Sequence, residues 1–249
     1  MDSATLAGWL AVDLDGTLLR RDFSVGAHVA TWRVVDGERE PSSWFPAAEH
    51  MLLANLAQAF HVVPVTARDV ASFGRVLLRD VPCESGAVVA NGAIILRPGD
   101  MLPDQRWRAT MCDELAAWME PLGQMAVLIQ ERSEGLARAR LIGSDTPYPA
   151  YLVGKADDGF WSSDIGLDVR ERLAPFGCRI AVLGRELQVL PPPVSKRRAT
   201  QVFARMHQGG RAPLLAMGDV DEDIAFMREA VFMAAPTDSS LGRKWHAGE

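Results

Sequence analysis

Cysteine is scarce in this chain of 249 residues: Cys83, Cys112 and Cys178 are odd in number, far apart, and form no Cys-x-x-Cys pair with nearby histidine. A disulfide framework and a zinc site are therefore unsupported, and reduced thiols are expected. Long apolar runs are also missing. No segment approaches the roughly 20 apolar residues that cross a bilayer, and Leu6 to Val12 is too short for a signal-peptide core with its flanks. These absences point to a cytoplasmic protein without a membrane partner. Basic charge is in deficit, with 26 Lys plus Arg against 32 Asp plus Glu and a net charge of -6. The longest basic run is Lys196-Arg197-Arg198, so nucleic acid, which demands a basic footprint, is not an expected partner. Internal repeats and low-complexity tracts are absent as well.

What remains is ordinary globular composition, 48% hydrophobic and 23% charged. The length suffices for one large domain or for a core domain carrying a smaller one. Trp9 to Val12 is a short apolar run ending in Asp13-Leu14-Asp15-Gly16-Thr17, the look of a buried parallel strand delivering polar groups at its carboxyl end. The pattern recurs. His61 to Val65 ends in Thr66-Ala67-Arg68, Ala87 to Ala90 in Asn91-Gly92, and Pro213 to Met217 in Gly218-Asp219. Helix-like segments alternate with these runs at Ala47 to Phe60, Val70 to Leu78, Lys196 to His207 and Asp223 to Ala230. The expected fold class is α/β, a doubly wound parallel sheet whose polar strand ends are neighbours in space.

Between about Pro98 and Pro191 the pattern changes to a second unit. Helices are expected at Asp113 to Glu120 and Asp164 to Leu173. Strands are expected at Met125 to Gln130, Leu136 to Ile142, Arg179 to Leu183 and Leu187 to Leu190, the last two joined through Gly184-Arg185-Glu186. Pro191-Pro192-Pro193 suits a linker back to the core. Arg20 to Phe45 holds a possible hairpin around Asp36-Gly37 after Val29 to Val35; it reads equally as a flap beside the first strand end or as a surface hairpin without chemistry.

Asp13 and Asp15, if both extended, would have related directions, and two carboxylates at one strand end need a cation or a shared proton. Asp219 and Asp223 add two acids at another strand end. Hard oxygen ligands around one point suit Mg²⁺, which uses few protein carboxylates together with substrate phosphate. A calcium loop starting at Asp219 fails, because Ile224 and Ala230 occupy the positions that need Gly and Glu. Asp219, Asp221 and Asp223 also fit a solvated turn capping a helix. Thr66 could donate its hydroxyl to a phosphoryl oxygen and Lys196 could supply positive charge, although each also fits an ordinary strand end or solvated helix face.

Taken in order, Asp13-Leu14-Asp15-Gly16-Thr17, Thr66, Lys196 and Gly218-Asp219-Val220-Asp221-Glu222-Asp223 resemble the four motifs of the haloacid dehalogenase superfamily. The inserted segment and Asn91-Gly92 resemble its Cof-like and sucrose-phosphatase-like branch. The resemblance implies a Rossmann-like core at residues 1–97 and 191–249 and an α/β cap at 98–190. It implies a phosphatase acting on a small phosphorylated metabolite, often a sugar phosphate, with Mg²⁺ as cofactor. Asp13 would be the nucleophile and Asp15 the general acid and base. Thr17, Thr66 and Lys196 would bind phosphate, and Arg68 and Asn91 would bind substrate. The metal would be held by Asp13, Asp219, Asp223 and the backbone carbonyl of Asp15.

Two departures stand out, Thr66-Ala67-Arg68 in place of Thr-Gly-Arg and the length of Arg20 to Phe45. Asp15 argues against a dehalogenase, whose halide leaving group needs no proton. A phosphomutase of the phosphomannomutase type and an idle sugar-phosphate sensor remain as alternatives. Arg132, Arg138, Arg140, Lys155, Arg179 and Arg185 in the inserted segment could meet a sugar or second anion.

Overall fold

The computed structural model describes residues 8–82, 84–143 and 147–248, so Cys83 and the start of the Leu6 to Val12 stretch lie outside the described residues. Two compact units emerge, one running to Asp104 and resuming at Lys196, the other covering Gln105–Ser195. The first break falls beyond Pro98 because residues 97–104 fold back on the strand before them. Arg97 N–H donates to the Leu102 carbonyl at 2.9 Å and Asp104 N–H to the Ile95 carbonyl at 2.8 Å.

Along the chain, the first unit opens with β1 (Trp9–Val12), β2 (His28–Val35), β3 (Glu38–Phe45), α1 (Ala47–Leu56), β4 (His61–Pro64), α2 (Val70–Phe73), β5 (Ala87–Val89) and β6 (Ile94–Leu96). The second contains α3 (Gln105–Ala116), α4 (Met119–Arg132), β7 (Arg138–Ile142), β8 (Tyr151–Lys155), α5 (Asp164–Leu173), β9 (Arg179–Leu183) and β10 (Glu186–Leu190). The chain then returns with α6 (Lys196–His207), β11 (Leu215–Met217), α7 (Asp221–Met227), β12 (Phe232–Ala234) and α8 (Ser240–Ala247).

The first unit is built on a parallel sheet in the order β12-β11-β1-β4. Every residue of β1 is fully buried, as expected of a central parallel strand covered on both faces. Leu10 pairs with Leu215 on one side and with Val62 on the other. A parallel bridge between Val65 and Val88 continues the sheet toward β5. On α6, Ala199, Thr200, Phe203 and Ala204 form the buried stripe, and the Phe203 ring lies 5.6 Å from that of Trp9. Burying such a helix face contributes more than helix propensity does.

The Asp36-Gly37 signal marks a real hairpin. β2 and β3 pair antiparallel from Val35↔Glu38 down to His28↔Phe45. Asp36 and Gly37 both have positive φ, 51° and 87°, which a two-residue turn matched to strand twist requires. At its base the hairpin joins the loop after β1, through a pair of backbone hydrogen bonds between Arg20 and Trp44 at 2.8 and 2.7 Å.

The second unit is an antiparallel sheet, β7-β8-β10-β9, with a core of Leu122, Met125, Ile129, Leu152, Trp161, Val169, Leu173, Leu187 and Val189. Met125 to Gln130, expected as a strand, is the interior of α4. The run Met125-Ala126-Val127-Leu128-Ile129 is apolar on all sides and so hides its period. The fully buried residues Leu122, Met125 and Ile129 reveal the helical spacing. The expected helix Asp113 to Glu120 is instead divided between α3 and α4. Strand β8 was not anticipated; Gly154 interrupts its β-forming pattern. The Gly184-Arg185 turn does connect β9 and β10, with Leu183 opposite Glu186. Among the described residues, no helix is long and apolar enough to cross a membrane.

Candidate active site

Asp13 extends the ladder of β1 by one step, its N–H donating to the Met217 carbonyl at 2.9 Å. The side chain is therefore held, buried, at the carboxyl end of the sheet. The chain then leaves strand geometry: Gly16 sits at φ 89°, its N–H bonds the Leu19 carbonyl at 2.9 Å, and Leu18 and Leu19 both donate to Leu14. This tight loop presses against the next motif. A Cβ on Gly16 would lie 2.1 Å from Asp219 Oδ2. Thr17 Oγ1 donates to Asp219 Oδ1 at 3.1 Å and lies 3.4 Å from Asp13 Oδ2.

The strand β11 supplies the facing group. Asp219 follows its end, and the Asp219 N–H donates to Asp223 Oδ2 at 3.2 Å. Asp223, in the first turn of α7, is fully buried. Lys196, the first residue of α6, donates to Asp13 Oδ1 at 2.6 Å and to Asp223 Oδ1 at 2.8 Å. Carboxylate oxygens of Asp13, Asp219 and Asp223 lie within 4.8 Å of one another. Asp221 points elsewhere and pairs with Lys244.

Lys196 thus pairs with two of the three carboxylates, Asp13 and Asp223, and the surplus of negative charge is visible in the acidity of Asp13 and Asp219. Burial pushes Asp13 well above the ordinary carboxylate range; Lys196 opposes this, while the charges of Asp223 and Asp219 add to it. Asp219 is raised to about 6, first by burial and then by the Asp223 charge. Burial pulls the Lys196 ammonium down, but the charges and hydrogen bonds of Asp13 and Asp223 outweigh it and raise its pKa. Surplus negative charge carried on hard oxygen donors is the environment that a divalent cation such as Mg²⁺ relieves, so the residues fit that ion.

A second group forms where β4 and β5 end. Asp15 does not point along with Asp13, because the chain has already left the strand. Its side chain is 53% exposed, and its carboxylate accepts from both Arg68 Nε at 2.6 Å and Arg68 Nη2 at 2.5 Å. Burial lowers the Arg68 pKa, and the bond and charge of Asp15 more than restore it. Thr66 is buried, donates its N–H to Val88 at 2.8 Å, and accepts from Arg68 N–H on Oγ1 at 3.2 Å. Ala90 and Asn91 adopt left-handed conformations, φ 51° and 54°. Their N–H groups reach back to the Arg68 carbonyl at 2.6 Å and the Thr66 carbonyl at 3.0 Å. The Asn91 turn is thereby fastened to the segment carrying Thr66 and Arg68.

Sequence reasoning missed Arg20. Its guanidinium donates to the carbonyls of Gly16 and Thr17 and pairs with Glu49 at 3.2 Å and Asp238 at 3.6 Å. It therefore braces the loop behind Asp13 from outside. The only signal was a basic residue four positions after Gly16, too common to single out. In the second unit, Arg185 is taken by Asp157 at 2.7 Å and Lys155 lies 3.7 Å from Glu186. Arg132, Arg138, Arg140 and Arg179 are solvent-exposed.

No family profile and no curated protein sequence matches the chain. Solved structures do. The sucrose-phosphatase of Synechocystis is 16% identical, with 98% of this chain and 97% of that chain covered at a TM-score of 0.53. A haloacid dehalogenase-like hydrolase from Bacteroides thetaiotaomicron is 13% identical, with 97% and 99% covered at a TM-score of 0.50. The chain has the haloacid dehalogenase-like hydrolase fold. The C-terminal domain of a C. albicans trehalose-6-phosphate phosphatase is similar too, at 15% identity, 89% and 73% coverage and a TM-score of 0.55. In a haloacid dehalogenase-like fold of this kind, ligands are expected beyond the carboxyl ends of the parallel strands, which is where Asp13, Thr66 and Asp219 stand.

Proposed function

We propose that the chain is a Mg²⁺-dependent phosphatase that hydrolyses a small phosphorylated metabolite, a sugar phosphate first of all, through phosphorylation of Asp13. The observation that carries this reading is the buried Asp13 carboxylate, held by Lys196 and flanked by Thr17, Asp219 and Asp223 at one sheet end. The sucrose-phosphatase neighbour was solved with sucrose and phosphate, which supports the sugar-phosphate class. The deficit of basic charge argues against nucleic acid as substrate, and the cytoplasm is the expected compartment.

In this reading an Asp13 oxygen attacks phosphorus as the ester oxygen leaves, which divides the hydrolysis into two easier steps. Asp15 protonates the leaving oxygen and later takes a proton from the water that cleaves the aspartyl phosphate. Lys196, Thr17 and Thr66 donate to phosphoryl oxygens, with Arg68 and Asn91 at the edge nearest the rest of the substrate. Mg²⁺ held by Asp13, Asp219, Asp223 and the Asp15 carbonyl would neutralise charge on the transferring group.

The test is wild-type protein with a panel of phosphorylated metabolites. Inorganic phosphate should account for nearly all ester consumed, with no dependence on added sugar bisphosphate. Isomerised hexose phosphate appearing faster than free phosphate would replace this reading with a phosphomutase. An idle binding protein would consume nothing.

Activity should vanish in excess chelator, and Asp219→Ala should raise the Mg²⁺ concentration for half-maximal rate by roughly tenfold or more, since even outer partners of a metal site cost about 10–100-fold. Protonation of Asp219 competes with the cation, so in wild-type protein that concentration should rise as pH falls through about 6. Full activity without divalent metal would remove the cation from the proposal.

A further inference from the structure

We infer that Arg68 is a positioning residue that aims Asp15, and not a ligand of the substrate; the inference rests on the phosphatase reading. The geometry is a two-pronged clamp. Arg68 Nε and Nη2 meet opposite oxygens of one carboxylate at 2.6 and 2.5 Å, the fork arrangement that fixes orientation as well as distance.

The two partners are unequal. The Arg68 side chain is 18% exposed and that of Asp15 is 53% exposed. Arg68 is also pinned through its backbone, its N–H on Thr66 Oγ1 at 3.2 Å and its carbonyl accepting from Ala90 N–H at 2.6 Å. Asp15, by contrast, sits on the loop that turns at Gly16 and has no other side-chain hydrogen bond among the described residues. Arg68 is the fixed post and Asp15 the arm it steadies. Left alone, a half-exposed carboxylate samples several rotamers, and a general acid that is misplaced loses most of its effect.

The clamp also accommodates both proton states. In the first step the Asp13 oxygen–phosphorus bond forms, the phosphorus–ester oxygen bond breaks, and the Asp15 proton goes to the leaving oxygen. A protonated Asp15 gives up one prong and keeps the other. In the second step water bonds to phosphorus, the Asp13 oxygen–phosphorus bond breaks, and the water proton returns to Asp15. The neighbouring prong is free in the first step and re-formed when the carboxylate is regenerated after proton loss. A guanidinium engaged in this way has its fork turned to Asp15 rather than to an incoming anion.

The experiment compares kcat/KM for an alkyl phosphate ester and a nitrophenyl phosphate in wild type, Arg68→Ala, Asp15→Asn and the double variant. Arg68→Ala should lower the alkyl value by roughly 10–100-fold, part of the about 10²–10⁴ that general acid catalysis supplies. The nitrophenyl value, whose leaving group needs no proton, should fall by less than about threefold on the same principle. In the Asp15→Asn background the Arg68 substitution should change the alkyl value by less than about threefold, because residues acting as one unit are not additive. Arg68→Lys should lie between wild type and Arg68→Ala, and with Arg68→Gln it serves the same comparison if the alanine variant fails to fold.

Equal losses in both backgrounds, with KM raised for both esters, would make Arg68 a substrate ligand and overturn the inference. A wild-type alkyl rate in Arg68→Ala would overturn it too. If wild-type protein turns over neither ester nor any of the metabolite panel, the phosphatase reading itself falls and takes the clamp with it.

Discussion

Asp13→Asn is expected to fold and to release no measurable phosphate from any ester that the wild-type protein turns over. An amide oxygen is a very poor nucleophile, so the loss should be at least about 10⁴-fold, in the range seen when a covalent nucleophile is removed. The fold should tolerate the change for an electrostatic reason. Burial raises the Asp13 pKa well above its ordinary value, so ionising this carboxyl in the native state carries a cost that the unfolded chain does not bear. That cost is present in full above the folded pKa and fades as pH falls into the ordinary carboxylate range. A neutral amide of the same shape does not carry it, and Lys196 keeps its bond to Asp223 at 2.8 Å. Phosphate release and a thermal melt, measured together, decide the matter. A variant that folds and keeps more than a few per cent of the wild-type rate would mean that the nucleophile lies elsewhere.

Gly16→Ala should be nearly as damaging, although it removes no functional group. Its φ of 89° costs an L-residue about 1–2 kcal/mol. The new methyl would also stand 2.1 Å from Asp219 Oδ2 and 2.6 Å from Asp219 Cγ. Asp219 cannot simply swing aside without losing Thr17, which bonds its other oxygen at 3.1 Å. The strain is therefore relieved at the expense of the carboxylate proposed to hold the cation. The expected result is a lower melting temperature, a rate reduced by roughly 10²-fold as for other small misplacements at a reacting centre, and a higher Mg²⁺ requirement. Combining Gly16→Ala with Asp219→Ala should add little to the rate loss, since the clash is gone. A Gly16→Ala protein with wild-type rate and wild-type metal dependence would show that the loop does not position Asp219.

The sequence made the parallel-sheet unit readable because each strand that bears a functional group is a short apolar run broken by a polar residue. Trp9 to Val12 and His61 to Pro64 are two such runs, and Asp13 and Thr66 stand just past them. The bounds of α5 and α6 were readable for a different reason, an apolar stripe of helical period with charge on the other face. The same reasoning failed where period carried no contrast, in the uniformly apolar interior of α4, and where elements are too short to show one, as in β6 and β12. Helices α1 and α2 stop earlier than their patterns suggested, at Leu56 and Phe73. In α2 the chain turns immediately at Gly74, which is a poor helix former.

In the site, motif order was enough to single out Asp13, Thr17, Lys196, Asp219 and Asp223 as a set. It could not show what holds the loop between them. The bond from Arg68 to Asp15 spans 53 positions in the chain, and the ion pair of Arg20 with Glu49 spans 29. Neither has a local signature, because each depends on which strand lies beside which.

The position of β1 in the sheet bears on how the chain can be made. Its partner on one side, β4, is already present early in synthesis, whereas its partner on the other, β11, follows the whole of the second unit. Thr17 and Asp219, which touch, are 202 positions apart. A nascent chain emerging from the ribosome at about 5–20 residues per second must therefore leave one edge of its central strand, a row of unpaired backbone N–H and C=O groups, without its β11 partner while Gln105–Ser195 is still being made. The intervening unit has its own core and can close on itself meanwhile, which shortens the effective loop that the returning strand must cross. Until then the vacant strand edge is open to pairing with a strand of another unfinished chain.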